Sequence, residues 1–266
     1  MTTQPRAEIG IFGGSGFYSF LDDVREVELS TPYGDPSAPI TLGTVGGRSV
    51  AFLPRHGRQH QFPPHAINFR ANLWAMKELG VTRIVGPCAV GSLRREIAPG
   101  EFVICDQLVD RTTARKDTFY DGPRTTHVAF ADPYCPELGP IAAQVARAEG
   151  IACHEGGTMV VIQGPRFSTR AESRWFSANG WDVVGMTQYP EAYLARELEM
   201  CFVNVSLVTD YDVGVEGEIA AVTHETVLEV FNANIDKLRR LLYGLLPRIP
   251  AERSCICSTA LSSATG

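Results

Sequence analysis

Short apolar runs alternate along the chain with segments of helical periodicity. The runs are rich in apolar and β-branched residues and are bounded by Gly, Pro or Asp, so they predict strands at residues 8–12, 49–54, 81–86, 101–109, 158–164, 181–186 and 201–210. Phe69, Leu73 and Met76 fall on one face of a predicted helix over residues 67–79, which stops at Gly80. A second long helix is predicted from about residue 222 to 243.

Strands that are apolar on both faces and separated by helices indicate a covered sheet. The predicted fold class is therefore α/β, a single domain over residues 1–250 with a central mixed, largely parallel β-sheet flanked by helices on both faces. Residues 251–266 lose the periodicity, and we expect them to form a flexible C-terminal tail.

Composition narrows the class of protein. The chain has 266 residues, a formal net charge of −6 and 44% hydrophobic residues, without a cluster of Lys and Arg, which argues against nucleic acid as a partner. The first residues lack the features of a signal peptide, and no apolar run reaches the ~18 residues of a membrane span. We therefore expect a cytoplasmic protein with no membrane partner.

The cysteines do not suggest a disulfide framework. There are seven, an odd number, scattered through apolar stretches. Only Cys255 and Cys257 form a local pattern, and two ligands are too few for a structural zinc site. We expect free thiols in a surface tail.

A glycine-rich turn follows the first predicted strand. In "IFGGSGFY" it offers the Ser15 hydroxyl and several backbone amides, an arrangement that suits a phosphate group or a simple tight turn. It fits neither G-x-G-x-x-G nor the P-loop pattern, because Ser19 replaces the last glycine and no Gly-Lys-Ser/Thr follows.

Basic residues follow the strand at 49–54. In "RHGRQHQFPPH", Arg55 and His56 could together bind a dianion. A metal site built from His56, His60 and His65 is disfavoured, because two prolines interrupt any helix that would align them and no carboxylate completes the set. We expect no metal.

Three further strand ends have polar or small residues. "PCAVGSLRREIAPGEF" lets backbone amides approach a ligand, and "PRFSTRAES" supplies an aromatic ring and hydroxyl groups. Asp210 and Asp212 in "VTDYD" could face one pocket within a turn or be solvated loop acids.

Several blocks, taken in order, resemble one family. "GGSGFY", "PRHGRQHQFPPHAINFRANLWAMKELG", "AVGSLR", "DQLVDRTTARKDTFYDG", "GTMVVIQGPRFSTRAES", "MTQYPEAYLARE" and "VTDYD" are similar to the 5'-methylthioadenosine phosphorylases, a branch of the trimeric purine nucleoside phosphorylases. The resemblance covers roughly residues 8–247.

The resemblance implies a phosphate subsite and a nucleoside subsite. The phosphate subsite would contain Ser15, Arg55, His56, Cys88, the backbone amide of Ala89, and Thr187. Relatives usually have threonine at the position of Cys88, so either a hydroxyl donor is missing or the change is one of packing. The nucleoside subsite would contain Met186 against the ribose, Phe167 and Ser168 near the base, and Asp210 and Asp212.

The implied reaction is phosphorolysis. Phosphate attacks the anomeric carbon while the purine leaves, and Asp210 is the catalytic residue that donates or shares a proton at N7 of the purine. Phosphate is a co-substrate, and no cofactor is implied. The aspartates favour the 6-amino group of adenine, because a branch that uses 6-oxopurines has asparagine here and glutamate in place of Ser168.

The resemblance leaves the 5' group and the assembly to be tested. Val227 and Leu228 suit an apolar 5' pocket, but His224 stands where valine is common, so adenosine or 5'-deoxyadenosine is an alternative substrate. His127 aligns with a histidine that reaches a neighbouring subunit, which implies a homotrimer or a hexamer of two trimers. A 6-oxopurine phosphorylase, a hydrolytic nucleosidase and a nucleoside-binding sensor are the remaining alternatives.

Overall fold

A computed structural model describes residues 6–13, 22–123, 125–213, 221–262 and 264. The strands of this part of the chain are β1 Ile9–Gly13, β2 Asp22–Val27, β3 Ile40–Val45, β4 Arg48–Pro54, β5 Arg83–Ser92, β6 Phe102–Ile104, β7 Gln107–Arg111, β8 Cys153–Glu155, β9 Thr158–Ile162, β10 Val183–Gly185 and β11 Cys201–Tyr211. The helices are α1 Phe69–Glu78, α2 Leu138–Ala148, α3 Arg170–Ala178, α4 Gln188–Glu197 and α5 His224–Leu245.

All of these strands belong to one mixed sheet. Its main path runs β2-β3-β4-β1-β5-β10-β9-β7, and β11 leaves this path by pairing with β5 and then with β6, which pairs with β8. The pairs β1–β4, β1–β5, β5–β11, β6–β8, β7–β9 and β9–β10 are parallel, and the other pairs are antiparallel. The predicted mixed, largely parallel sheet is confirmed.

Helices cover both faces of the sheet. On one face α1 and α4 bury Phe69, Leu73 and Leu194. On the other face α2 and α5 bury residues such as Val145 and Leu241. The predicted α/β class with two covered faces is therefore confirmed.

Some elements differ from those that the apolar pattern predicted. The run at 101–109 breaks at Cys105 and Asp106 into β6 and β7, which pair with different neighbours. The pattern missed β2, β3 and β8. β2 is an exposed edge strand with the sequence DDVREV, so it has no apolar run to detect.

The described part of the C-terminal tail packs against the domain. A 3₁₀ helix spans Ile256–Thr259, and Cys255 and Cys257 are 8% and 1% exposed. The expectation of surface thiols was therefore wrong, because these side chains complete the core beneath α2 and β11. The flexibility of the tail and the domain boundary at residue 250 stay predictions.

No helix among the described residues is long and apolar enough to cross a membrane.

Candidate active site

The predicted site residues gather where the parallel strands end. Gly13 at the end of β1 pairs with Pro54 at the end of β4, and Asp210 on β11 pairs with Gly91 on β5. Parallel neighbours bring their carboxyl ends to one edge of a sheet, which is where ligands bind in open α/β folds. The turn with Ser15 follows β1, but Ser15 lies outside the described residues.

Arg55 is fixed by an ion pair that the sequence did not reveal. Its Nε and Nη2 atoms donate to Glu191 on α4 over 2.6 and 2.9 Å, and its Nη1 donates to the Pro87 carbonyl over 2.8 Å. Both side chains are buried, at 4% and 1% exposure. Burial opposes the charge of Arg55, but the ion pair with Glu191 outweighs burial and raises its pKa. A guanidinium has five N–H groups, so two remain for an anion.

His56 is a neutral imidazole near neutral pH. Burial, and to a smaller degree the charge of Arg55, lowers its pKa to about 4, although a hydrogen bond to the backbone works against this. Its Nδ1 lies 2.9 Å from the Phe62 carbonyl. A carbonyl only accepts, so Nδ1 bears the proton and Nε2 is an acceptor. His56 can therefore bind phosphate through a P–OH group, or after the imidazole has taken up a proton.

Three predicted phosphate elements meet around Arg55. Pro87, which accepts the Arg55 bond, directly precedes Cys88 and the exposed Ala89 on β5. Gln188 at the start of α4 donates to the Gly86 carbonyl over 3.2 Å and so holds Thr187 beside the same strand. Thr187 precedes α4, is 6% exposed and makes no capping bond with its side chain.

The Cys88 thiol takes part in a polar network between β5 and β11. Its Sγ lies 3.4 Å from Ser206 Oγ, and Asn204 Nδ2 donates to it over 3.4 Å. Burial raises the pKa of this thiol, which keeps it protonated. These contacts favour the packing interpretation over a direct donor to phosphate.

Asp210 is a carboxyl group with an unusually high pKa. Burial is the main cause, the charge of Asp212 adds to it, and a hydrogen bond from Thr209 opposes it, so that the pKa is about 6. Thr209 Oγ1 donates to Asp210 Oδ2 over 2.8 Å. A Cβ at Gly91 would lie 2.9 Å from Asp210 Oδ1, so any other residue there would displace this carboxylate. Such a group can hold a proton near neutral pH.

Asp212 lies deeper than Asp210, at 2% exposure. Burial raises its pKa, and the neighbouring hydroxyl groups of Ser173 and Ser168 work against this. Both hydroxyl groups are close to the Asp212 carboxyl, but within the described residues Asp212 Oδ2, Ser168 Oγ and Ser173 Oγ are buried and none of them has a partner in full hydrogen-bond geometry. The structure thus brings Asp212 and Ser168, both predicted to lie near the base, close together. Asp212 Oδ2 and Ser168 Oγ remain available for hydrogen bonds to a ligand.

Met186 and Phe167 flank the same region. Both are half-buried, and Met186 follows β10 directly. The Met186 sulfur would lie 2.7 Å from a Cβ at Gly164, whose φ of +62° also favours glycine. The loop before Phe167 therefore packs closely on Met186.

The start of α5 lies beside the histidines that follow β4. The rings of His56 and His60 stack with centroids 4.3 Å apart, and His224 lies 6.3 Å from His60. Val227 is half-buried, whereas Leu228 is 43% exposed. His224, the first of the residues predicted for the 5' pocket, thus lies close to His56, which is predicted to bind phosphate.

His127 is not brought to the other site residues by contacts within the described chain. It is exposed, and its backbone N–H donates to the Ala264 carbonyl over 3.1 Å. This position leaves its side chain available to a neighbouring subunit, and its role stays a prediction.

Sequence reasoning missed Glu191 and Ser173. Both are buried polar residues, at 1% and 0% exposure. Glu191 lies in the first turn of α4 and Ser173 in the first turn of α3, and both belong to sequence blocks that carry the resemblance. A charged residue among the apolar positions of α4 was the available signal for Glu191.

Comparisons with known proteins identify the family of this chain. A family model described as "Phosphorylase superfamily" matches residues 8–247. The purine nucleoside phosphorylase of Streptomyces coelicolor is 54% identical, covering 98% of this chain and 96% of its own. The S-methyl-5'-thioadenosine phosphorylase of Mycobacterium tuberculosis is 55% identical, covering 93% and 91%.

A solved structure gives the same result for the fold. A methylthioadenosine phosphorylase from an antarctic soil metagenomic library superposes with a TM-score of 0.92 at 41% identity, covering 98% of this chain and 93% of that one. Its fold, the family model and the full-length relatives agree with each other. This chain therefore belongs to the phosphorylase superfamily.

Proposed function

We propose that the protein catalyses phosphorolysis of 5'-methylthioadenosine to adenine and 5-methylthioribose 1-phosphate. The observation on which the proposal depends is the buried carboxyl of Asp210, with a pKa of about 6, on the strand edge shared with Arg55. The relative from Mycobacterium tuberculosis and the superposed structure are both named for this activity.

In the proposed mechanism Arg55 holds phosphate for attack on the anomeric carbon. Its two remaining N–H groups face the anion, since Glu191 and Pro87 occupy the other three. Ala89, Thr187 and Ser15 supply further donors. Holding the nucleophile in line lowers the barrier by several kcal/mol, so that no covalent intermediate is needed, and the proposal needs neither a cofactor nor a metal.

Asp210 neutralises the leaving purine. Negative charge develops on the base as the glycosidic bond breaks, and a proton shared between Asp210 and N7 stabilises that charge. Asp212, with its unpartnered Oδ2, accepts from the 6-amino group, and Ser168 lies beside it. Adenine is therefore favoured over 6-oxopurines.

A second candidate is phosphorolysis of adenosine or 5'-deoxyadenosine. His224 on α5, close to His60, puts a polar ring where an apolar 5' group would be expected to bind. The relative from Streptomyces coelicolor is named a purine nucleoside phosphorylase. A histidine can bind a 5'-hydroxyl but offers little to a methylthio group.

A substrate panel tests both candidates. Methylthioadenosine, adenosine, 5'-deoxyadenosine and inosine are each incubated with and without phosphate, and free base is measured by chromatography. Cleavage of methylthioadenosine that needs phosphate supports the main proposal, and a higher kcat/KM for adenosine supports the second. Cleavage without phosphate would indicate a nucleosidase, and no turnover a binding protein.

The assembly and location are part of the proposal. We infer a homotrimer in which the exposed His127 reaches the neighbouring site, to be tested by light scattering coupled to gel filtration. The odd number of cysteines, seven, whose spacing does not suggest a disulfide framework, supports a reducing compartment such as the cytoplasm.

A further inference from the structure

Four cysteines converge far from the candidate active site. The Sγ atoms of Cys135, Cys201, Cys255 and Cys257 all lie within 4.8 Å of one another, and all four residues are buried. They come from three distant parts of the chain, namely the segment before α2, the first residue of β11, and the tail. Such a convergence in a core needs an explanation beyond the packing of small side chains.

The spacing suits a single tetrahedral ion. A zinc ion bound to thiolates at about 2.3 Å places its four sulfurs about 3.8 Å apart. The Sγ atoms of Cys201 and Cys255 are 3.4 Å apart, and the 4.8 Å limit holds for every pair. Changes of at most about 1 Å in the sulfur–sulfur distances would therefore bring the cluster to the tetrahedral spacing.

Cys135 is held between α2 and β11. It lies two residues before Glu137, the N-cap of α2. Its backbone N–H donates to the Phe202 carbonyl over 2.8 Å, which fixes it beside Cys201 on β11. A ligand held by the backbone of a helix start and a strand is suited to a rigid structural metal site.

Positive charge lies close to the cluster. Arg83 is opposite Cys201 in the β5–β11 register and is 7% exposed. Its Nη2 donates to the carbonyls of Pro250 and Ala251, each over 2.7 Å. The cation therefore lies where the chain approaches Cys255, and it would offset part of the charge of four thiolates around a divalent ion.

We propose that Cys135, Cys201, Cys255 and Cys257 form a structural zinc site. Four thiolate ligands are typical of closed structural zinc sites, which have no position for a substrate. Cys201 and Asp210 are nine residues apart on one strand, which at about 3.3 Å per residue separates the ion from the proposed acid by about 30 Å. The ion joins the tail to α2 and β11 and takes no part in the reaction.

Two disulfides are the competing arrangement. A disulfide needs sulfurs about 2.05 Å apart and joins them in pairs, whereas this cluster brings four free thiols together. Zinc coordination uses all four sulfurs at once and leaves their oxidation state unchanged. The site also explains why Cys255 and Cys257, which alone are too few ligands, are buried.

Metal analysis of the full chain, purified without a polyhistidine tag or chelator, tests the proposal. We expect about one zinc per chain by plasma mass spectrometry, and less than about a tenth of that in the double variant Cys255→Ser/Cys257→Ser. Cys153→Ser is the matched control, since Cys153 is a half-buried cysteine outside the cluster. It should keep its zinc.

A second measurement does not depend on the folding of a variant. The wild-type chain reconstituted with Co²⁺ should show thiolate-to-cobalt charge-transfer bands and the visible bands of a tetrahedral tetrathiolate site. Zinc-free wild type, two disulfides found by mass spectrometry, or equal zinc in the wild type and the double variant would each overturn the proposal. Because none of these readouts uses activity, the result is independent of the proposed phosphorolysis.

Discussion

Arg55 and Glu191 form a buried, two-bonded ion pair between the loop after β4 and the helix α4. The two hydrogen bonds, at 2.6 and 2.9 Å, fix the plane of the guanidinium. The charge of Arg55 is thus maintained in the core before any substrate arrives. Binding of phosphate then needs little rearrangement of this residue, because its orientation is already set by α4.

Replacement of Glu191 by Gln should weaken phosphate binding. The variant keeps the shape of the side chain but leaves the buried Arg55 without a counter-ion. We expect the KM for phosphate to rise at least about 10-fold, the KM for nucleoside to change less, and the free energy of unfolding to fall by about 3 kcal/mol. Steady-state kinetics and urea unfolding measure these effects.

Glu155→Gln is the matched control for that change. Glu155 pairs with Arg147 at the surface, where the two side chains are 45% and 59% exposed. Its loss should cost less than about 1 kcal/mol and leave both KM values unchanged. Equal effects of the two substitutions would show that the Arg55–Glu191 pair has no special role.

His56 should make the fold less stable in acid. Its pKa is about 4 in the fold and 6.5 in an unfolded chain, so between these values the unfolded chain binds the additional proton. Stability is therefore lost as the pH falls from 6.5 towards 4. Between pH 7 and pH 4 the wild type should lose about 3 kcal/mol more than His56→Gln, as measured by urea unfolding.

The exposed His65 provides the comparison for His56. His65→Gln makes the same chemical change at an exposed position, without the hydrogen bond that joins His56 to the Phe62 carbonyl. If His65→Gln and His56→Gln showed the same dependence of stability on pH, the buried neutral imidazole would not be its source.

Asp210→Ala should remove most of the activity. Loss of the group that neutralises the leaving purine is expected to lower kcat/KM by about 10²- to 10⁴-fold. In the wild type, whose Asp210 has a pKa of about 6, kcat/KM should fall as the pH rises above that value. Asp236→Ala on the exposed face of α5 is the control. If kcat/KM of the wild type did not fall as the pH rises above about 6, Asp210 would not act as an acid.

His224→Val should shift the preference at the 5' position. The exposed histidine lies 6.3 Å from His60, and an apolar side chain there would favour a methylthio group over a hydroxyl. The ratio of kcat/KM for methylthioadenosine to that for adenosine should rise about 10-fold. The neighbouring Glu225→Gln serves as the control. An unchanged ratio in His224→Val would show that His224 does not determine the preference at the 5' position.

The sequence predicted the class of fold, and it predicted that the candidate site residues would lie at strand ends. The strands of the central sheet are apolar runs, so β1, β4, β5, β9, β10 and β11 were found by pattern alone. Arg55 and Asp210 lie at strand ends, as the pattern predicted, because chain order and parallel pairing together determine which ends meet. Their roles in the reaction stay predictions.

What the sequence could not predict depends on contacts between distant residues. Glu191 lies 136 positions after Arg55, and nothing local shows that they form an ion pair. The polar edge strand β2 has no apolar periodicity. Surface thiols were expected in the tail because its own pattern is irregular, whereas the burial of Cys255 and Cys257 depends on α2 and β11, which supply the surface that they cover.

The burial of Cys257 has a consequence for the order in which this protein folds during synthesis. At 1% exposure, this residue fills space in a core that is otherwise built from residues made much earlier, such as Cys135 and Cys201. That core is incomplete until residue 257 has left the ribosome, so the nascent chain exposes apolar surface around α2 until then. Released chains that stop before residue 255 should accordingly depend more on chaperones than released chains that extend to residue 266.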